Sequence, residues 1–342
     1  MRCKKKTLII WLFILITIGL AVCSLCIGRY DVDEIAAIKE IMSYYLKGGS
    51  KLSIEANILL NIRLPRTLAA VLVGGALSLA GMTFQAIFRN RLASPDLLGV
   101  STGSCVGAAL CIIGGCSALQ IQIWSFVGGI VTVIFTYVVA GLFRREKGFA
   151  LILSGVLVGG IMTSILGFIK YTAKPETELP SIVYWTMGDL SSVSLEQLKY
   201  VVVPICISML LLCVISWRLN FFVVSDEAAV SMGVNMRVVK VTCIIAATLL
   251  TASSVSVAGT IGWVGLAMPQ LVRLLCGENT VYSIRLSIFA GVSFILLSDI
   301  IGRLISPAEI PMSVLTGIPG VLIFVICIYL CNRKEKDNVG GK

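Results

Sequence analysis

Asp226 and Glu227 stand side by side in the stretch SDEAAVSMGVN (225–235), between the apolar runs LLLCVISW and CIIAATLLTASSVSV. Adjacent carboxylates suit three kinds of chemistry: a metal ligand set, an acid–base pair, or a charged contact with another molecule. The first two need partners that are missing here. The sequence has no histidine, which removes imidazole proton transfer and the commonest nitrogen ligand. Its 12 cysteines are scattered through apolar segments, as at Cys105, Cys111, Cys206 and Cys243, where the thiol packs as a small hydrophobe. Cys23-x-x-Cys26 has no second pair to complete a zinc site. No G-x-x-x-x-G-K-[ST] loop occurs, so any ATP and magnesium must be held by another chain. A charged contact with another molecule and a plain capped connector both remain open from these residues alone.

Locally, the stretch reads as a short capped helix. Ser225 can cap its start, with Asp226 and Glu227 beside the positive dipole end. Ala228, Ala229 and Ser231 keep the surface shallow, Met232 follows, Gly233 can end the helix, and Asn235 can cap the next one. Other polar residues interrupt apolar runs. Gln85 precedes Arg89-Asn90-Arg91, and Gln270 and Arg273 lie one helical turn apart. Asp299 and Arg303 are spaced to pair on one helix face. Pro269 and Pro319 fall inside apolar runs, where each removes a backbone hydrogen bond and kinks or breaks a helix. Gly262 and Gly265 belong to a small-residue segment, GWVGLAMP, that lets helices approach closely.

The elements that must position these residues are membrane helices. The chain is 57% hydrophobic and 13% charged, about half the charge of a soluble domain, which is roughly 25%. Ten apolar windows appear, at about 8–28, 67–88, 97–116, 121–143, 149–169, 198–217, 239–258, 262–276, 284–302 and 311–331. The basic N-terminal residues and the apolar run behind them resemble a secretory signal, yet the run is long enough to span and reads as a retained first helix. The expectation is an all-α polytopic membrane protein of about ten transmembrane helices, one domain over 1–342. With both termini in the cytoplasm, 18 of the 28 Lys and Arg fall on the inner side, as the positive-inside rule asks. The net charge of +10 is therefore a topology signal and not a nucleic-acid footprint. The remaining segments are an external loop at 29–66, a cytoplasmic loop at 218–238 and a cytoplasmic tail at 332–342. Ile35, Ile38, Ile41 and Met42 predict a short amphipathic helix in the external loop. Spans two to five and seven to ten enter from opposite sides, a parity that permits an inverted repeat.

Several segments, in order, resemble one family. They are Arg63-Leu-Pro-Arg66, GGALSLAGMTFQAIFRNRLASPDLLGVSTGS (74–104), Trp185-Thr-Met-Gly-Asp-Leu190, LNFFVVSDEAAVSMGVN (219–235), VAGTIGWVGLAMPQLVRLL (257–275) and LLSDIIGRLISPAEIPMSVLTGIPG (296–320). Together they resemble the FecCD-type permeases, membrane subunits of ABC importers for iron–siderophore complexes, haem and vitamin B12. Four positions depart from the family pattern. Gln270 stands where histidine is usual, Arg91 where proline is common, Ser225 where glycine is common, and Gly317-Ile-Pro-Gly320 lacks the usual aromatic.

The resemblance implies the BtuC-like ABC importer permease fold in the bacterial cytoplasmic membrane. It implies a second permease, identical or a paralogue, two ABC ATPase subunits and an external substrate-binding protein, with lipid around the chain. Arg63, Arg66 and Arg303 match arginines that dock the binding protein. Ser225, Asp226, Glu227, Ala228, Ala229, Met232 and Gly233 match the coupling loop that meets the ATPase. Gln85, Gly262, Gly265, Pro269 and Gln270 are candidates for the pathway or its gate. The expected function is non-catalytic passage of an iron–siderophore complex, with haem and vitamin B12 as alternatives. A secondary transporter or channel is the alternative of another class, weakened because no carboxylate falls in the middle of a span.

Overall fold

Inside a bilayer every peptide N–H and C=O must be bonded within the protein, and a helix achieves this within itself. The computed structural model describes residues 2–47, 52–143, 147–220, 235–277, 280–306 and 308–340, and among them regular structure is entirely helical. The α-helices are α1 (Arg2–Cys26), α2 (Glu34–Lys47), α3 (Ile54–Ile58), α4 (Leu64–Ile87), α5 (Val100–Ile113), α6 (Ala118–Gly141), α7 (Lys147–Thr172), α8 (Glu178–Thr186), α9 (Leu195–Leu219), α10 (Met236–Ala258), α11 (Val264–Cys276), α12 (Thr280–Ile305) and α13 (Met312–Gly340). Starts are locally encoded. Ser117 with Gln120, and Ser194 with Gln197, form reciprocal capping boxes at α6 and α9. The Asn235 side chain accepts from the Val238 amide (3.2 Å) and opens α10 as expected.

Among the described residues, eight helical stretches are long and apolar enough to cross a membrane, while α5 and α11 are shorter apolar helices of 14 and 13 residues. These two occupy the windows expected as full spans at 97–116 and 262–276. The reason is that 88–99 and 259–263 enter the bundle mostly as turns and irregular chain, with one short 3-10 piece at Pro95–Leu98, before each short helix begins. Irregular backbone at such depth persists only where protein covers it. The Leu98 carbonyl is met by the Thr136 hydroxyl (3.1 Å), and the Thr260 hydroxyl reaches the Thr186 carbonyl (2.5 Å). Both short helices start from a left-handed residue, Gly99 (φ 75°) and Trp263 (φ 69°). Each is the second helix of its set of four, α4–α7 and α10–α13, as the parity of the spans allows.

The segment expected as an external loop at 29–66 is instead largely helical. Helix α3 runs through a π-helical turn, Leu59–Arg63, into α4, so one helical stretch extends from Ile54 to Ile87. Helix α2 forms, but with its inward face on Ala37 and Ile41. These pack with Val32, Ala56 and Leu59, while Ile35, Ile38 and Met42 lie exposed.

Helix α4 is the axis of the bundle, with 83% of its most apolar window buried against 6% for α1. Glycine sets how closely it is approached. A Cβ on Gly81 would meet the Gly265 carbonyl, and a Cβ on Gly74 would meet the Gly291 carbonyl. Gly81→Val is therefore expected to force α4 and α11 apart at a cost of ~1–3 kcal/mol. Thermal unfolding in detergent should show Tm lowered by several degrees relative to Gly167→Ala, whose added Cβ meets nothing.

Candidate functional site

Two polar clusters occupy opposite ends of α4. At its N-terminal end the residues come from α1, the π-helical turn, α4 and α12. Asp299 is wholly buried on α12 and forms ion pairs with two arginines. Arg66 donates from Nε at 2.8 Å, and Arg303, one turn along α12, donates from Nε at 2.9 Å. Arg303 also reaches the Ser24 and Ile27 carbonyls at the end of α1 (2.8 and 3.0 Å) and the Ser24 hydroxyl (2.8 Å). Arg63 is 4% exposed and gathers the turn after α1 around its guanidinium. It donates to the Leu25, Cys26 and Tyr30 carbonyls (2.8, 2.9 and 2.5 Å) and pairs with Glu34 (3.3 Å). Gly28 sits so close that a Cβ there would strike this guanidinium.

The three arginines expected to dock a partner are thus gathered at one place, but held within the chain. Their remaining surface lines a cavity of about 240 Å³, beside Arg29, Tyr30 and Glu309. The i, i+4 spacing anticipated the Asp299–Arg303 pair. The Arg66–Asp299 contact spans 233 residues and has no local signal. Asp299→Asn would leave two buried guanidiniums without the charge between them, a change costing about 3–5 kcal/mol. The expected outcome is a collapse of Tm in detergent. Glu309→Gln, by contrast, breaks only partly exposed pairs (30% for Glu309), and should cost no more than about 1 kcal/mol.

At the other end of α4, the residues singled out as pathway candidates meet. The Gln270 amide donates to Gln85 Oε1 (3.3 Å) and to the Arg91 carbonyl (2.9 Å), Arg273 donates to Gln85 Oε1, and the Gln85 amide donates to the Gly265 carbonyl (3.3 Å). Gln85, Pro269 and Gln270 are buried, so they fasten α11 to α4 and to the turn after it. Two departures from the family pattern, Gln270 and Arg91, therefore touch. Gly262 and Gly265 instead border a cavity of about 220 Å³ with Leu77, Trp263 and Asp96. Asp96 was not singled out from the sequence, because its window ends beside it. The 3-10 segment Pro95–Leu98 folds back beside Leu77, near the middle of α4, and there Asp96 accepts from the Ser101 hydroxyl.

A third cavity, of about 490 Å³, adjoins α8 and is lined by Ser181, Tyr184, Trp185, Asp189 and Ser192 among others. The W-T-M-G segment here is a junction. Gly188 (φ 79°) brings its Cα against the Thr260 carbonyl, and the Gly188 and Met187 carbonyls accept from the Met312 and Ser313 amides at the start of α13 (2.9 and 3.1 Å). Burial raises the Asp189 carboxyl, but hydrogen bonds from Ser191 and Ser192 outweigh it and hold the group below the usual carboxylate range. The residues matched to a coupling loop, Ser225, Asp226, Glu227, Ala228, Ala229, Met232 and Gly233, lie outside the described residues.

The sequence matches the model of the FecCD transport family over residues 14–330. It is 33% identical over 313 residues to the molybdate import system permease protein MolB of Haemophilus influenzae, covering 92% of this chain and 93% of that one. It is 33% identical to the ferric enterobactin permease FepD of Escherichia coli, covering 81% and 84%, and 31% identical to the vitamin B12 permease BtuC of Serratia proteamaculans, covering 77% and 79%. A solved chain described as a metal-chelate type ABC transporter in an inward-facing conformation superposes with a TM-score of 0.83 at 31% identity, covering 94% of this chain and 98% of that one. The ordered motifs, the helical bundle and these likenesses agree: this chain belongs to the FecCD transport family and is a membrane-spanning permease subunit of an ABC importer.

Proposed function

We propose that this permease passes an iron–siderophore complex inward, in a complex with a second permease, two ATPase subunits that hold ATP and magnesium, and an external substrate-binding protein. The observation that carries the substrate class is the cavity beside α8. Its lining pairs Tyr184 and Trp185 with the acidic Asp189 and, among the described residues, contains no lysine or arginine. Such a wall suits a bulky organic chelate, which presents apolar and aromatic surface, better than a small oxyanion, which wants cationic or N–H donors. Relatives named for iron chelatin and ferric enterobactin support the same reading.

In this arrangement the arginine end of α4 is external and both termini are cytoplasmic, the orientation favoured by the distribution of basic residues. Arg63, Arg66 and Arg303 then face the binding protein, and the 225–233 stretch meets the ATPase. Substrate choice rests mainly with the binding protein, because the pathway itself makes few specific contacts.

A second reading, molybdate, is favoured by the likeness to MolB over 92% of the chain. Haem and vitamin B12 follow from relatives named for those substrates. Uptake of radiolabelled ferric siderophores, haemin, cobalamin and molybdate should be measured in a strain deleted for this gene. Loss of ferric siderophore uptake alone is expected; loss confined to any other substrate replaces the assignment. The paired change Asp226→Lys with Glu227→Lys should leave the subunit in the membrane while abolishing uptake driven by ATP. Normal uptake in that variant would remove these residues from the coupling surface.

A further inference from the structure

The cavity at the N-terminal end of α4 is lined by four guanidiniums, Arg29, Arg63, Arg66 and Arg303, and by one carboxylate, Glu309. The acidic groups that serve these arginines differ in kind. Asp299 has no exposed surface and is committed to Arg66 and Arg303. Glu34 takes Arg63. Glu309 lies on the short segment between α12 and α13, keeps 30% exposure, and divides itself between Arg66 (2.9 Å) and Arg29 (3.3 Å). Arg29 is 43% exposed and also donates to the Ser306 carbonyl (3.1 Å). Among the described residues, these four cations thus share three carboxylates, of which Glu309 alone lines the cavity of about 240 Å³. The Asp299 pairs resist exchange because they are buried, whereas the Glu309 pairs are cheap to exchange because water already reaches them.

The backbone of Glu309 is tied elsewhere. Its carbonyl accepts from the Tyr184 hydroxyl on α8 (2.8 Å), and three residues later the Met312 amide is bonded to the Gly188 carbonyl (2.9 Å). The segment that carries the Glu309 side chain is therefore fastened to the wall of the aromatic cavity.

We propose that Glu309 is a resident counter-ion occupying the place of a carboxylate from the substrate-binding protein. On docking, an aspartate or glutamate of that protein takes Arg66 and Arg29, Glu309 is released, and its segment relaxes the Tyr184 contact that steadies α8. The idea rests on the docking role given to Arg66 above. It adds that this chain carries its own competitor for the site, and that the competitor is mechanically joined to the cavity.

The test uses the complete transporter in nanodiscs, titrated with the ligand-free binding protein of the same transport system. Glu309→Gln removes the competitor and should tighten binding by about fivefold, the equivalent of an exposed ion pair. Glu309→Asp, one methylene shorter and unable to span both guanidiniums, should shift affinity in the same direction if the first variant does not fold. Tyr184→Phe should leave affinity unchanged but alter the stimulation of ATPase activity by the binding protein. Unchanged or weaker binding by folded Glu309 variants, with the wild type binding normally, overturns the exchange. Absence of binding to the wild type overturns the docking reading itself.

Discussion

One buried carboxylate holds this architecture at its arginine end. Asp299 has no exposed surface, and two guanidiniums from different parts of the chain pair with it. Through Arg66 it ties α12 to α4, and through Arg303 it reaches the carbonyls that end α1. Those carbonyls would otherwise be orphaned where the first helix stops. The same guanidinium thus pairs a charge and closes a helix end. Arg63 does the second task again for the last two residues of α1. An arginine is suited to this double duty because its planar fork offers five donors without losing its charge.

The rest of the bundle is held by closeness more than by charge. Around α4 the contacts are backbone against backbone at Gly74, Gly81, Gly265 and Gly291. Serine and threonine hydroxyls add short bridges, such as Thr17 with Ser293 (2.9 Å) and Ser24 with Thr67 (2.8 Å). In lipid there is little hydrophobic gain between helices, so packing and such bridges supply the association. The family motifs fall where these demands are strictest. Gly188 must admit the Thr260 carbonyl, and Gly265 must admit Pro95 and the carbonyl of Leu77.

How far the sequence could be read follows from the range of each interaction. Hydropathy is local, and so are capping boxes and the i, i+4 pair, so the long helices, their starts and the Asp299–Arg303 contact were legible. The shortening of α5 and α11 was not, because irregular chain covered by protein can be as apolar as a span. The amphipathic helix at 34–47 was found, but its inward face was misjudged. Ala37 is small enough to sit against Ala56 and Leu59, while the larger isoleucines turn out. Long-range pairs left no trace in spacing, which is why Glu309 and Arg29 escaped notice, while Asp96 stood just outside an apolar window. The family resemblance supplied Arg66 as a docking candidate, but not that it pairs with Asp299.

The two short helices carry a consequence for how the protein meets its membrane. At 1.5 Å per residue, α5 and α11 extend only about 20 Å, less than the roughly 30 Å hydrocarbon thickness. Their ends are defined by protein, at Gly99 and Trp263, and not by headgroups. Helices of 24–26 residues such as α6, α7 and α9 exceed that thickness and must tilt to match it. A change in bilayer thickness therefore meets the long helices directly, and reaches α5 and α11 only through the helices packed around them.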